Sequence, residues 1–189
     1  MEHIPERALG IELLNARNAK LLDTFDSGDE ELNDFIMNDA LSEQQQLLSR
    51  THICFYKDHV AGFITLAADS IRIDKDKLQA DQHVDGCVYR AYPCILIARL
   101  ATDKRLQRHG IGSYLLKLAI GFALEGPLGC RYLSVDPKEC AVEFYQKIGF
   151  GYWTKSQRRM YLNMMDVAQQ LEPKESLDPW SEEKEGEAQ

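Results

Sequence analysis

The chain has 189 residues, 44% of them hydrophobic, enough for one full core, so a single domain over residues 1–165 is expected. No apolar run approaches the ~18 residues that cross a bilayer, and Met1 to Arg7 lacks the charged-then-apolar plan of a secretory leader. The expectation is a cytoplasmic protein without a membrane segment. Of the net charge of −8, residues 166–189 carry −6 and the body −2, so the acidity belongs to a C-terminal stretch that reads as a flexible tail.

Taken in order, residues 8–14 make a first strand. Ser27-Gly28-Asp29-Glu30 has the form of a capping box that opens a helix with Leu32, Phe35, Ile36 and Ala40 on its apolar face. The helical pattern continues through Gln44-Gln45-Gln46 to Leu47-Leu48. Residues 51–56 and 60–67 are β-prone runs joined at Lys57-Asp58-His59 as a hairpin. Residues 69–93 are polar; Ile71-Arg72-Ile73 reads as an extension of the preceding strand and residues 75–78 as a helical turn. A long connection with little structure of its own is more often functional than structural, and this one is expected to line a pocket.

The apolar run 94–101 is long enough for a buried strand and too short for an independent helix. Beyond a basic turn, Leu115, Leu118, Ala119, Phe122 and Ala123 have the spacing of one helix face, closed by Pro127-Leu128-Gly129. Residues 131–135 form a short strand. Asp136-Pro137-Lys138-Glu139 then reads as a helix start, with an aspartate cap and proline in the first turn. That helix carries Ala141, Phe144, Tyr145 and Ile148 on one face and stops at Gly149. Residues 150–153 and 159–164 form a final antiparallel pair. The order β, α, β, β, β, α, β, α, β, β gives an α+β architecture, a mixed sheet covered by helices.

The five cysteines, Cys54, Cys87, Cys94, Cys130 and Cys140, include no close pairing, which argues against a zinc site. Cys54 and Cys94 read as small core hydrophobes. Cys140 lies at the start of a helix, where a thiol pKa can fall, but with no histidine beside it in sequence it is a poor candidate for a nucleophile.

The segment Gln107-Arg108-His109-Gly110-Ile111-Gly112 lies between the central strand and its helix. A helix opening there presents unpartnered N–H groups and the positive end of its dipole, and glycines let a ligand come close to the backbone, so the turn can cradle a pyrophosphate. A dinucleotide fold does not match, because the second glycine is followed by Ser113-Tyr114-Leu115 and the strand lies mid-chain. The segment resembles the acyl-CoA pyrophosphate loop of the GNAT N-acetyltransferases, Arg/Gln-x-x-Gly-x-Gly/Ala, with Gln107, Gly110 and Gly112 in its fixed positions. Ala141-Val142-Glu143-Phe144-Tyr145-Gln146-Lys147-Ile148-Gly149-Phe150 matches a second element of that family, Ala-x-x-Phe-Tyr-x-x-x-Gly-Phe, in the expected order.

The resemblance implies a mostly antiparallel mixed sheet with helices on both faces, splayed at a central strand pair, and acetyl-CoA as acetyl donor. It implies that Leu100, Ala101 and Thr102 take the pantetheine arm through backbone groups, and that Gln107, Arg108, His109, Gly110, Ile111, Gly112 and Ser113 hold the pyrophosphate. Tyr145 would be the general acid that protonates the departing thiolate; a phenol of pKa ~10 suits that basic leaving group. From the residues alone, without the motif, Tyr145 reads rather as a core residue beside Phe144 and Ile148 than as a catalytic one. Acyl transfer to an amine needs no covalent intermediate, so the lack of a nucleophile constellation is no objection.

Other residues stay open at this point. Lys104, Arg105 and Arg108 could meet a 3′-phosphate, nucleic acid or solvent. Asp69, Asp85 and Glu31 are the choices for a general base, with a relayed water as the alternative. Asp136 replaces the asparagine frequent in the family and is explained by capping, while His52 and His109 read as structural.

Within the family, Phe25-Asp26-Ser27-Gly28 leading to Leu32-Asn33-Asp34-Phe35, Arg50-Thr51, and Ala98-Arg99-Leu100-Ala101-Thr102-Asp103 resemble the toxin branch that acetylates aminoacyl-tRNA. That likeness implies a small ribbon-helix-helix antitoxin as partner; a homodimer is common in such folds. Charge argues the other way, since tRNA binding needs phosphate neutralisation and only Lys104, Arg105, Arg108, Lys155, Arg158 and Arg159 could form a local basic patch. The sequence therefore points to acetyl-CoA-dependent N-acetylation of a primary amine on a small molecule, a peptide or aminoacyl-tRNA. A non-catalytic acyl-CoA-binding module is the rival class.

Overall fold

Lys57 and Asp58 both adopt positive φ, 49° and 62°, and make the two-residue turn whose twist suits an antiparallel hairpin. His59 already pairs with Tyr56, so the turn is one residue shorter than the expected one. The computed structural model describes residues 3–72, 91–152 and 158–171. Among these, seven strands form one sheet: β1 (Leu9–Leu13), β2 (Arg50–Tyr56), β3 (His59–Ile71), β4 (Tyr92–Thr102), β5 (Tyr132–Val135), β6 (Gly151–Tyr152) and β7 (Met160–Asn163), in the spatial order β1-β2-β3-β4-β5-β7-β6. All neighbours are antiparallel except β4 and β5.

β3 extends beyond the expected 60–67 because β4 supplies partners for its whole length, out to Ile71 opposite Tyr92. Both ends of the polar stretch 69–93 are thus in the sheet; the helical turn expected at 75–78 lies outside the described residues.

The helical layers follow from strand alternation. Ile53, Phe63 and Ala101 face one side of the sheet and pack with Leu14, Leu22, Phe25, Phe35, Ile36 and Ala40. Their neighbours Cys54 and Ile64 face the other side and pack with Ile111, Leu115, Leu116, Ala119 and Ala123. Period-two side-chain placement therefore builds two cores, one on each face. Each fully buried Leu or Ile adds about 2 kcal/mol.

On the first face, α1 (Glu30–Asp34) continues through a π-helical segment, Phe35–Asp39, into α2 (Ala40–Gln45). The start differs from the expected capping box. Asp29 is the cap, its carboxylate accepting from the Leu32 N–H at 3.2 Å, while the Ser27 hydroxyl binds Asn33 Oδ1 at 2.7 Å and accepts from the Asp29 N–H at 3.1 Å. The helix does not reach Leu47-Leu48. Leu47 takes φ 61° beyond its end, and both leucines are exposed.

On the second face lies α3 (Ile111–Glu125), stopped at Gly126. A single 3₁₀ turn, Glu139–Ala141, leads into α4 (Val142–Gln146). Here a second expectation fails, since Asp136 caps nothing. Its carboxylate is taken by Arg159, with Nη2 at 2.7 Å and Nε at 3.1 Å, a bidentate pairing that ties the β5–α4 connection to β7. Gly149, at φ 106°, ends the α4 segment as expected. α5 (Met164–Leu171) was not anticipated. It takes residues 166–171 from the stretch read as tail, and Met164 and Val167 pack on the second core. No helix among the described residues is long and apolar enough to cross a membrane.

Candidate active site

β4 pairs with β5 only from Cys94–Tyr132 to Ile97–Val135, yet continues to Thr102. On its other side, Thr65 faces Arg99 while Leu66 faces Ile97, so Ala98 is an extra residue bulged out of the β3–β4 ladder. The bulge coincides with the end of the parallel pairing. Beyond it the two central strands part, and the edge of β4 over Leu100, Ala101 and Thr102 has no strand beside it among the described residues. An extended backbone with a free edge can bond a ligand that lies along it as an added strand.

The chain leaves β4 through Asp103, which is fully buried. Its carboxylate accepts from the Arg105 N–H (2.9 Å), Nε (2.8 Å) and Nη2 (2.7 Å) and from the Asp26 N–H (3.3 Å). Burial works to raise its pKa, but the Arg105 hydrogen bonds outweigh it and hold the carboxyl below its ordinary value. Because the folded pKa is depressed, this stability is present above the ordinary carboxylate range and is lost as acid is added through the lower folded value. Asp103→Ala is expected to lower unfolding stability by about 3 kcal/mol and to flatten the acid limb of the stability profile, read by urea titration between neutral pH and about pH 3. Parent-like stability at both ends would remove this anchoring role.

Beyond Asp103 the loop is shaped by Arg108 at φ 65° and Gly110 at φ 93°. A left-handed arginine costs on the order of 1 kcal/mol, which marks a backbone held for a purpose. Gly110 is the N-cap of α3 and provides no side-chain cap, so the first N–H groups of the helix are left for something else. Gly112 sits where the elements meet. A Cβ there would lie 3.2 Å from Phe144 Cζ and 3.9 Å from Leu100 Cδ2. The β4 edge, the first turn of α3 and α4 thus converge on one point.

Tyr145 comes from α4 into this convergence. It is 5% exposed, and its ring lies edge-on to Phe144 (5.2 Å between centroids) and Phe150 (5.4 Å). Burial raises its phenol pKa, so the hydroxyl keeps its proton at neutral pH. It is a core residue whose buried hydroxyl stays protonated.

The remaining predicted residues have mixed fates. The Ile111 side chain is buried in the second core and the Ser113 side chain half-buried. The Gln107 side chain is used as a tie, its Nε2 donating to Ser27 O at 2.9 Å, and His109 Nδ1 bonds Gln107 O at 2.8 Å. Lys104 pairs with Asp26 and Arg105 with Asp103, so neither is a free cation for a phosphate. Of the expected basic patch, Arg159 is also taken, by Asp69 and Asp136; Arg108 and Arg158 have no ion pair among the described residues, and Lys155 lies outside them. Asp69 and Glu31, two of the three carboxylates considered as base, are bound by cations, and Asp85 lies outside the described residues. Burial pushes the Cys54 and Cys94 thiols up to about 12, in keeping with packing roles. His52 is likewise a packed residue, its ring 4.9 Å from that of Phe122 and its pKa lowered by burial.

Lys138 was missed from sequence. It reaches from the β5–α4 connection to Asp29 at 2.6 Å and Glu31 at 2.9 Å, joining the two sides of the gap between β4 and β5. Only the position of Lys138 three residues past a strand that leaves its neighbour could have signalled it.

Comparison with known proteins shows the family. The model of the acetyltransferase (GNAT) family matches residues 14–150, spanning every element just described from the end of β1 to Phe150. The chain belongs to the GNAT family of acetyltransferases. A curated tRNA-acetylating toxin of Mycobacterium tuberculosis is 35% identical over 118 residues, 59% of this chain and 66% of that protein, so the match spans just under two thirds of the relative's length. Among solved structures, AtaT complexed with acetyl-methionyl-tRNAfMet superposes with a TM-score of 0.73 at 23% identity, covering 86% of this chain and 98% of that one. AtaTR bound with acetyl-CoA superposes with a TM-score of 0.71 at 23% identity, covering 87% and 98%. As a GNAT fold, the parted β4–β5 pair and the glycine turn of α3 suit a donor that is long, thin and apolar along one stretch and anionic at the other. The free strand edge fits an amide-bearing arm, and the uncapped helix start fits a pyrophosphate.

Proposed function

We propose that this chain transfers the acetyl group of acetyl-CoA to the α-amino group of aminoacyl-tRNA in the cytoplasm, and that a ribbon-helix-helix antitoxin restrains it. The observation that carries the acceptor is the 35% identity to a tRNA-acetylating toxin. The geometry supports the chemistry: the edge of β4 at Leu100, Ala101 and Thr102 orients the pantetheine arm, and the backbone of residues 107–113 receives the pyrophosphate. The acceptor amine attacks the thioester carbonyl, a C–N bond forms and the C–S bond breaks. Tyr145 Oη gives its proton to the departing thiolate and recovers one after the amine has lost its own. With three of the local cations engaged in ion pairs, phosphate contacts to tRNA fall to exposed residues such as Arg108 and Arg158.

Labelled acetyl-CoA, charged tRNA and a panel of free amines and peptides test this together. Label is expected in a nuclease-sensitive polymer and lost on mild deacylation. Label confined to free amines or peptides would overturn the acceptor and leave an ordinary N-acetyltransferase. Expression is also expected to arrest growth, with relief by a co-expressed antitoxin.

A further inference from the structure

A polar row crosses the first face of the sheet. In the ladders Thr51 stands opposite Thr65, and Thr65 opposite Arg99. The two threonines are fully buried, and their hydroxyls bond each other at 2.8 Å. Arg99 ends the row at the residue after the Ala98 bulge, where β4 leaves β5. It shares a face with Ala101, two residues on, so its side chain meets the α1 layer and not α3. Its guanidinium carbon lies 5.1 Å from the centre of the Phe35 ring, and Nη1 donates to Ala98 O at 2.9 Å. The side chain is thus laid back on the bulge, and its planar head is held at the mouth of the gap.

Donors of this head are left over. Nε is buried and has no hydrogen-bond partner among the described residues. Nη2 lies 4.0 Å from Glu31 Oε1, too far for a hydrogen bond, while Glu31 Oε2 is drawn to Lys138 at 2.9 Å. The side chain is 38% exposed, so the Nη edge is open to solvent. A guanidinium kept under-used where two strands part, at a cost in stability, is fitted to receive an oxygen from outside the chain.

Position indicates which oxygen. Tyr145 and the faces of α3 and α4 that meet the sheet belong to the second core. An amine that attacks a thioester lying in the gap therefore comes from the first face, past Arg99. In an aminoacyl ester the carbonyl oxygen is the hydrogen-bond acceptor nearest the reacting amine, and the ribose and phosphate oxygens lie farther along. We propose that Arg99 is an acceptor-binding residue: the open edge of its guanidinium donates to the ester carbonyl oxygen of the aminoacyl group and so fixes the α-amine at the gap. The inference rests on the acceptor class proposed above and does not depend on which amino acid is carried. It makes the site selective for amines with a carbonyl beside them over simple alkylamines, because only the former satisfy the guanidinium.

The test compares the parent with Arg99→Leu, which keeps apolar contact with Phe35, and Arg99→Lys, which keeps the charge without the fork. Acetyl transfer to bulk aminoacyl-tRNA is measured at saturating labelled acetyl-CoA. A tRNA whose terminal ribose carries a 2-aminoethyl ether serves as competitor, since its inhibition constant reads every contact except that with the carbonyl. Acetyl-CoA affinity by calorimetry and the melting temperature are the controls. Arg99→Leu is expected to lower kcat/KM for aminoacyl-tRNA about 30-fold, and to shift the inhibition constant of the ether-linked tRNA less than about threefold. Donor affinity should stay at the parent value, and Arg99→Lys should fall between parent and Arg99→Leu. If Arg99→Leu does not fold, the same selective loss in Arg99→Lys, at least about fivefold, carries the test. A matching rise in the inhibition constant would overturn the inference, because Arg99 would then act on the RNA backbone or on the fold. So would parent-like transfer by Arg99→Leu, or a loss of acetyl-CoA affinity. A parent that acetylates free amines or peptides and no charged tRNA would instead remove the acceptor reading itself, and this inference with it.

Discussion

Tyr145→Phe is expected to lower acetyl transfer at least about 100-fold while leaving acetyl-CoA affinity and unfolding stability close to those of the parent. The packing of this residue and the catalytic role proposed for it fall on different atoms. Packing belongs to the ring, held edge-on between Phe144 and Phe150, and phenylalanine keeps that ring. The hydroxyl carries no hydrogen bond among the described residues, so its removal leaves no buried partner unsatisfied, and the stability change should stay within about 1 kcal/mol. What is lost is the only proton the buried ring can give. Because burial raises the phenol pKa, the parent should show no alkaline loss of kcat from this group until above the ordinary tyrosine range. Thiol release under saturating donor and acceptor, with kcat and KM separated, measures this. Parent-like kcat in the variant would return Tyr145 to the core and leave the thiolate to be protonated by water.

The legible and illegible parts of the molecule differ in the range of the interactions behind them. The hairpin at Lys57-Asp58, the apolar face of α3 and the stop at Gly149 are set by local conformation and periodicity, and each can be read within a few residues. The glycine turn was legible for the same reason, since a positive φ and close approach demand glycine wherever the strand and helix lie. Asp136 was misread because two futures were open to it. A local cap competed with Arg159, 23 residues later, and a bidentate charged pair is stronger than one capping bond. Asp103 and Lys138 stand in motifs the sequence shows, but their roles as anchor and bridge were not legible there. Asp103 is held mainly by Arg105, two residues on, but its bond from the Asp26 N–H spans 77 residues and that of Lys138 to Asp29 spans 109, and no local pattern announces the burial of the carboxylate or a bridge across the parted strands. Residues 166–171 were assigned to a tail on acidity, yet the spacing of Met164 and Val167 lets a helix dock on the second core before the charge accumulates. The bulge at Ala98 lies between these extremes. It leaves no mark in composition, although it coincides with the point where β4 leaves β5.

Gly112→Asp is expected to raise the acetyl-CoA dissociation constant by more than about 100-fold without unfolding the chain. Two effects act at the same atom. A Cβ alone would lie 3.2 Å from Phe144 Cζ, a contact the ring relieves by moving a few tenths of an ångström, so Gly112→Ala should cost donor affinity no more than about fivefold. The carboxylate adds a charge in the first turn of α3, where the helix dipole welcomes it by about 0.5 kcal/mol and the bare N–H groups accept it as a cap. The helix therefore gains what the ligand loses, because the substituted side chain occupies the place of the anion. A pyrophosphate charge about 4 Å from that carboxylate is opposed by about 4 kcal/mol at an effective dielectric of 20, enough for a loss of two to three decades after screening. Calorimetry of parent, Gly112→Ala and Gly112→Asp, with thermal unfolding as the control, reads all three terms. An aspartate variant that keeps its melting temperature and binds acetyl-CoA within about threefold of the parent would place the pyrophosphate elsewhere, because no charge of that sign can share the first turn of α3 with it.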